Sequence, residues 1–315
     1  MPIDVHAHYF PDEYLDLLKR FGSDATDLAR GLGAGRSQVE LETRLELMDS
    51  AHVQTQILSA SPQLPYFEDE GHAVEAARMI NDLYADLVRR YPDRFAAFAT
   101  TPFPHIEASL TEIERALDKL SMVGVTIATS VLGRSLADPA FEPFYAELDR
   151  RGAVLYIHPA GVGACSSLIT SYGLTWPIGA PIEDTIAVTH LIIKGIPKRY
   201  PHLKIINSHL GGALPMLLQR LDNQYRWAVP ETPELPSRQG RRMWYDTVGH
   251  FHPPALRCAY DSFGADRLVL GTDFPYLSGE WYKRSVTYIK DSGIPREDIR
   301  RILDANAASL LGFKR

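Results

Sequence analysis

Ile3-Asp4-Val5-His6-Ala7-His8 is the stretch on which the reading of the chain turns. It is a short run that ends in two histidines one residue apart. Side chains of an extended strand alternate faces with a period of two, so both imidazoles point the same way. Three later apolar runs finish in the same manner. Val154–His158 closes on His158, residues 204–209 close on His209, and residues 268–272 lead directly into Asp273. A lone His-x-His pair reads more readily as two hydrogen-bonded core histidines than as metal ligands. Four histidines and one aspartate at the ends of four separate strands describe a metal site built on a sheet. Imidazole and carboxylate donors suit Zn²⁺ and other divalent first-row ions. Three or four protein ligands leave an open position for water or substrate.

Outward from these ends, runs at 3–8, 55–61, 95–101, 124–130, 154–158, 204–209, 244–248 and 268–272 read as eight strands. Amphipathic helical patterns alternate with them, at 39–51, 71–91, 105–120, 139–151, 183–200, 212–227, 253–263, 278–291 and 296–311. Eight strand-helix units over roughly 250–300 residues are the pattern of an α/β fold of the (β/α)8 TIM-barrel type. The strands are nearly continuous apolar runs, as expected where helices cover them. A doubly wound open sheet would not gather the first, fifth, sixth and eighth strands round one site. The expectation is one domain over 1–315, a barrel distorted by long loops after the first strand (9–38) and the fifth (160–182). Both loops leave C-terminal strand ends, where barrel active sites lie.

The bulk numbers exclude several classes. Of 315 residues, 45% are hydrophobic and 23% charged, and the net charge is -6, with no basic run to meet nucleic acid. No apolar stretch approaches the ~18 residues a membrane span needs. The first residues enter a strand without a leader pattern, so no secretion signal is expected. Cys165 and Cys258 provide neither a disulfide framework nor a CxxC site, and the cytoplasm is the simplest setting.

Other side chains carry two readings each. Trp176 and Tyr172, on the loop after the fifth strand, either stack on a planar substrate or pack the loop. Asp246, near the end of the seventh strand, can orient a ligand histidine. His250 and His252 follow it and either line the pocket or sit solvated in a loop, the second being favoured. His52, His72, His105, His190 and His202 read as helix or loop residues without chemistry, and Met48 and Met216 as core.

The order His-x-His, His, His, Asp on the first, fifth, sixth and eighth strands resembles the amidohydrolase superfamily. Asp4-Val5-His6-Ala7-His8-Tyr9-Phe10-Pro11, Arg44-Leu45-Glu46-Leu47-Met48-Asp49, Ile157-His158-Pro159, His209-Leu210-Gly211-Gly212 and Gly271-Thr272-Asp273-Phe274-Pro275-Tyr276 are similar to the branch of aminocarboxymuconate-semialdehyde decarboxylase, with its 6-methylsalicylate and γ-resorcylate decarboxylases. The resemblance spans nearly the whole chain. It implies His6, His8, His158 and Asp273 as metal ligands, with His209 as an acid/base. Two-metal relatives bridge their ions with a carboxylated lysine on the fourth strand. Here Gly124-Val125-Thr126-Ile127-Ala128-Thr129-Ser130 has none, which implies one divalent metal, Zn²⁺ first and Mn²⁺ second.

The resemblance also implies substrate-binding arginines. Arg220 matches an arginine that reaches the neighbouring subunit's site, which would make the enzyme a homodimer or larger homo-oligomer. Its plain reading is a helix-surface arginine paired with Asp222 or Glu183. Arg36 lies in the first loop, where a relative binds a carboxylate. Arg44 fits the family pattern and fits a structural ion pair equally. The implied activity is metal-dependent, non-oxidative decarboxylation of a small aromatic or muconate-type acid, with His209 or Asp273 delivering a proton to carbon. The alternative on the same scaffold is a hydrolase (lactone, amide or ester) or a hydratase.

Overall fold

The computed structural model describes residues 1–313. Eight strands succeed one another round a barrel: β1 (Ile3–His8), β2 (Thr55–Ser59), β3 (Phe95–Thr100), β4 (Gly124–Ala128), β5 (Val154–His158), β6 (Lys204–Asn207), β7 (Trp244–Asp246) and β8 (Leu268–Val269). Each pairs in parallel with its sequence neighbour. The ring closes between β8 and β1 through an irregular seam. Val5 N donates to Leu270 O (2.9 Å), Asp273 N to His6 O (2.8 Å) and His8 N to Phe274 O (2.7 Å). This is the expected (β/α)8 barrel, and the distortion lies at that seam. A small antiparallel hairpin, Ser130–Val131 with Arg134–Ser135, follows β4.

The strands separate two apolar layers. On β5, Leu155 and Ile157 face the surrounding helices, whereas Val154 and Tyr156 face the barrel interior. His158 is the next inward residue of that alternation. Inside, Ile3, Val5, Phe98, Tyr156, Ile206 and Val269 fill the lower half, and Ala307, Ala308 and Leu310 of the last helix, Asn306–Leu311, close the bottom. The floor is packed with apolar side chains, and the histidines gather at the mouth.

β1 does not keep one phase along its length. Its register with β2 runs Asp4↔Gln56 and then Ala7↔Leu58, with an irregularity between. Val5 packs with the inner cluster, His6 contacts the inward Tyr156 (ring centroids 5.5 Å apart), and Ala7 joins the outer layer. The strand bulges, so two successive side chains face inward before alternation resumes at His8. The Asp4 carboxylate accepts from His6 N (3.1 Å), Thr272 N (3.0 Å), Thr272 Oγ1 (2.6 Å) and Gln56 Nε2 (2.9 Å). It supplies acceptors where the ladder is broken.

Several strands end earlier than their apolar runs suggest. β6 stops at Asn207 because His209 (φ 48°) and Leu210 (59°) turn over in left-handed backbone, and β8 stops at Val269, where Leu270 N donates to Ile302 O (3.0 Å) instead of to a strand. The loop after β1 is no open lid. It holds the helix Asp12–Arg20, with Tyr14, Leu15, Leu17 and Leu18 buried, and a 3-10 segment, Asp24–Ala29. The helix after β5 begins earlier than expected, at Ala180, and ends at Ile193 before a left-handed Gly195 (φ 69°). Met48 is core, but Met216 is 72% exposed on the outer face of the helix Leu214–Ala228.

Candidate metal centre and catalytic pocket

His6, His8, His158 and Asp273 meet at the mouth of the barrel. One donor atom from each lies within 4.8 Å of the others, and all four residues are buried. Each imidazole is held by its Nδ1. His6 Nδ1 bonds Asp246 Oδ2 (2.8 Å), His8 Nδ1 bonds Ser59 Oγ (3.2 Å) and His158 Nδ1 bonds the Pro159 carbonyl (3.1 Å). That leaves Nε2 on all three as the remaining donor, the arrangement in which a carboxylate or carbonyl fixes the tautomer of a metal-binding histidine. His6 Nε2 is buried without a hydrogen-bond partner. A buried ring nitrogen without a well-formed hydrogen bond, beside two further imidazoles and a carboxylate, fits a divalent cation.

Asp273 is the pivot of this cluster. Its Oδ1 lies 3.2 Å from His6 Nε2 and 3.3 Å from His8 Nε2, and its Oδ2 lies 3.9 Å from His209 Nε2. The left-handed backbone at Asp273 turns its side chain back over the barrel instead of outward along the strand. Burial alone would raise its pKa, but the surrounding imidazoles, His6 first, hold it well below the usual carboxylate range. Burial lowers His8 to about 4 and His158 well below the ordinary histidine value, so both are neutral and able to ligate. Burial would lower His6 too, but Asp246 and Asp273 outweigh it and raise its pKa to about 9. A bound cation would displace that proton.

His209 stands beside the cluster, 5.1 Å from the His6 ring and 5.6 Å from the His158 ring. It lies just past β6, in a tight turn, His209–Gly211. Its backbone N donates to Asp246 Oδ1 (3.0 Å) and its Nδ1 bonds Asp184 Oδ2 (2.9 Å). Asp184 also accepts from Ser208 Oγ (2.8 Å). Burial pushes Asp184 up to about 6, and burial would push His209 down, but the adjacent carboxylate raises His209 well above its ordinary value. Gly212 completes the turn. With φ at 64°, a Cβ there would sit 2.0 Å from the Pro181 carbonyl, so only glycine lets this turn abut the neighbouring helix.

Above the site opens a cavity of about 680 Å³ with His158, His209 and Asp273 in its floor. Its walls are mainly apolar: Trp176, Pro181, Leu210 and Val248, with Tyr276 and His250 as polar exceptions. A flat apolar acid fits such a slot, with the polar groups gathered at one end.

The structure sorts the remaining candidates. Trp176 lines the cavity, whereas Tyr172 is 76% exposed and does not. His250 lies in the wall, with a left-handed backbone, while His252 precedes the helix Pro253–Phe263. The expected role of Arg44 as a substrate anchor is corrected. It is 2% exposed, donates from Nη1 to His8 O (2.8 Å) and from Nε to Gln56 Oε1 (2.7 Å), and lies 4.5 Å from the centroid of the Phe274 ring. Walled in beneath β1, its guanidinium supports the backbone of His8 and does not line the cavity. Arg36 is bound to Glu13 at the surface and also does not line the cavity. Arg220 is exposed on the helix Leu214–Ala228, and among the described residues it pairs with neither Asp222 nor Glu183. Asp184, Ser59 and Glu183 were not anticipated. Acidic residues in the first turn of a helix read as favourable dipole partners, and nothing in the sequence pattern points them at the barrel mouth.

Fold and site together define a metal-dependent barrel enzyme. The amidohydrolase family profile matches residues 3–313, and the chain belongs to that family. It is 31% identical to the 6-methylsalicylic acid decarboxylase of Penicillium expansum, over 97% of this chain and 94% of that protein. It is 26% identical to the 2-amino-3-carboxymuconate-6-semialdehyde decarboxylase of Dictyostelium discoideum, over 99% and 92%. The fold superposes with a TM-score of 0.86 on the dihydroxybenzoic acid decarboxylase of Polaromonas sp. JS666, solved with manganese and the inhibitor 2-nitroresorcinol. Identity is 25%, and the match covers 100% of this chain and 97% of that one. No helix among the described residues is long and apolar enough to cross a membrane.

Proposed function

We propose that the chain is a metal-dependent, non-oxidative decarboxylase, a carboxy-lyase that releases CO2 from a small aromatic or muconate-type carboxylic acid. The observation that carries this is the convergence of His6, His8, His158 and Asp273 with the Asp184-bound His209 under one apolar cavity. Decarboxylases align over the whole chain, so the hydrolase and hydratase alternatives are not favoured.

A divalent ion held by His6, His8, His158 and Asp273 would supply Lewis acidity toward a substrate carboxylate or adjacent hydroxyl. The chain's own groups do the rest. Trp176 and the apolar wall take the planar body of the acid and exclude water. Asp184 keeps Nδ1 of His209 occupied, so Nε2 faces the reacting centre and carries the proton. That proton joins the carbon bearing the carboxylate. The C–C bond then breaks, its electron pair restores the conjugated system, and CO2 departs. Asp273, 3.9 Å from His209 Nε2, is the second group within reach of that proton.

Finer points belong to the same proposal. Residues 1–315 are read as one barrel domain. One ion per chain is the reading, because β4 offers no bridging lysine. Zn²⁺ suits the imidazole-rich donors, and the manganese of the Polaromonas relative makes Mn²⁺ the competitor. The assembly is a homodimer or larger, with Arg220 as a carboxylate anchor for the neighbouring subunit's cavity. Exposed Met216 and Trp227 lie on the same helix, and exposed Tyr172 would stack only at such an interface. Two free cysteines suit the reducing cytoplasm.

The test is metal analysis of the purified protein together with a screen of ortho-hydroxy aromatic and aminomuconate-type acids for CO2 release. About one ion per chain and CO2 from one acid class is the expected result. An ion-loaded protein that releases no CO2 from any of them would refute the reading.

A further inference from the structure

One helical turn holds both sides of the pocket, and it holds them with adjacent residues. Successive residues of a helix point about 100° apart, so Glu183 and Asp184, near the start of Ala180–Ile193, reach different neighbours. Asp184 reaches the β6 end, where it holds His209 Nδ1 and Ser208 Oγ.

Glu183 reaches the other way. Its carboxylate is 4% exposed, and among the described residues it forms no ion pair. Oε2 accepts from Thr129 Oγ1 (3.0 Å), Ala160 N (2.8 Å) and Gly161 N (3.1 Å). Oε1 accepts from Gly163 N (2.7 Å) and Ala164 N (3.5 Å). Thr129 Oγ1 accepts a further bond from Ala160 N (2.9 Å), and Thr129 N donates to His158 O (2.8 Å). A buried anion surrounded by oriented N–H groups is strongly held, and it holds them in turn. These donors are the first residues after His158-Pro159, where the chain leaves the barrel to build the cavity wall.

That backbone is the seat of Trp176. A Cβ added to Gly161 would lie 2.7 Å from the indole ring, so the ring rests directly on the peptide that Glu183 grips. Glu183 touches neither the cavity nor the metal donors, and its bonds go to this loop and to Thr129 at the end of β4.

The geometry points to a division of labour on this turn: Glu183 positions the aromatic wall that receives the substrate, and Asp184 positions the histidine that moves the proton. Both are positioning residues. Glu183→Gln puts an NH2 group among donors and loosens the loop, so KM changes. Asp184→Asn offers His209 Nδ1 an amide in place of a carboxylate, so turnover changes.

The kinetic arm of the test rests on the decarboxylase reading; the spectroscopic arm does not. For Glu183→Gln the expected result is a KM raised about tenfold, with kcat within about threefold of the parent. For Asp184→Asn it is a kcat lowered about 30-fold or more, with KM within about threefold. Metal content stays at the parent level in both. Acrylamide quenching of Trp176, taken as the difference from Trp176→Phe, increases in Glu183→Gln and not in Asp184→Asn. The His209 Nδ1–H resonance moves in Asp184→Asn and not in Glu183→Gln.

Thr129→Val removes one donor to Glu183 with little change of shape. It should raise KM in the same direction by a smaller factor, and it decides the matter if Glu183→Gln does not fold. Both variants shifting the same kinetic parameter would overturn the assignment. So would unchanged KM and unchanged Trp176 quenching in Glu183→Gln, or in Thr129→Val where that variant decides. A parent enzyme that decarboxylates no acid would sink the function while leaving the quenching and the resonance to judge the positioning.

Discussion

Replacing Asp246 by asparagine should weaken the metal site while the barrel survives. Asp246 is fully buried and makes four contacts, every one to a donor: His6 Nδ1 (2.8 Å), Tyr156 OH (3.2 Å), His209 N (3.0 Å) and Val248 N (3.0 Å). Both carboxylate oxygens are acceptors in use, so the NH2 of an asparagine meets donors whichever way the amide is turned. If it faces the two backbone N–H groups, two buried bonds are lost, at about 1–3 kcal/mol each. If it faces His6, the cheaper response is a tautomer switch. Nδ1 then accepts, and the ring proton moves to Nε2, the atom that would ligate the ion. Loss of such an orienting carboxylate weakens metal binding about 10–100-fold, or about 1.4–2.7 kcal/mol. Titration of the metal-free variant against a chelator of known affinity measures this directly, with circular dichroism as the check on folding. A folded Asp246→Asn protein that binds its ion within about twofold of the parent would show that His6 is not oriented through Nδ1.

The remaining expectations concern separate parts of the molecule. His6→Ala and His158→Ala should each lose the ion and activity together, whereas His209→Asn should retain the ion in elemental analysis and lose turnover by about 10²-fold or more. Arg220→Ala should raise KM or yield monomers in sedimentation; a fully active, unchanged oligomer would refute the shared-site reading. Glu147, held by Arg150 and Arg151, has its pKa lowered to about 2. A depressed carboxylate stabilises the fold above its unfolded pKa and ceases to do so as pH falls through the folded one. Glu147→Gln should therefore cost about 1 kcal/mol at pH 7, after allowance for solvent screening, and progressively less as pH falls toward 2 and below, as read from denaturant midpoints.

Much of the architecture was legible because strand ends carry chemistry. His158 and the His6/His8 pair could be assigned a face from period-two alternation alone, and the succession of runs forced a barrel. What the pattern hid was backbone that departs from its period. The bulge in β1 puts Val5 and His6 both inward, the left-handed His209 cuts β6 short, and Leu270 turns its N–H to Ile302 O and ends β8, though the apolar runs continue. Arg44 misled because its burial depends on Gln56 and Phe274, partners distant in sequence. The roles of Asp184 and Glu183 were hidden because a helix start explains acidic residues without any site. Met216 looked like core by residue type, yet it points away from the barrel.

The seam between β8 and β1 also bears on how the molecule is made. β1 emerges from the ribosome before the other seven strands, but its second neighbour is the segment 270–274, and the plug beneath it is Ala307, Ala308 and Leu310. At about 5–20 residues per second, roughly 15–60 s pass between the synthesis of His8 and that of Leu310. Through that interval one edge of the nascent sheet has no partner, and the residues that will line the mouth are still far apart. Open strand edges are where chains pair wrongly. The chain's most vulnerable period therefore falls during its own translation.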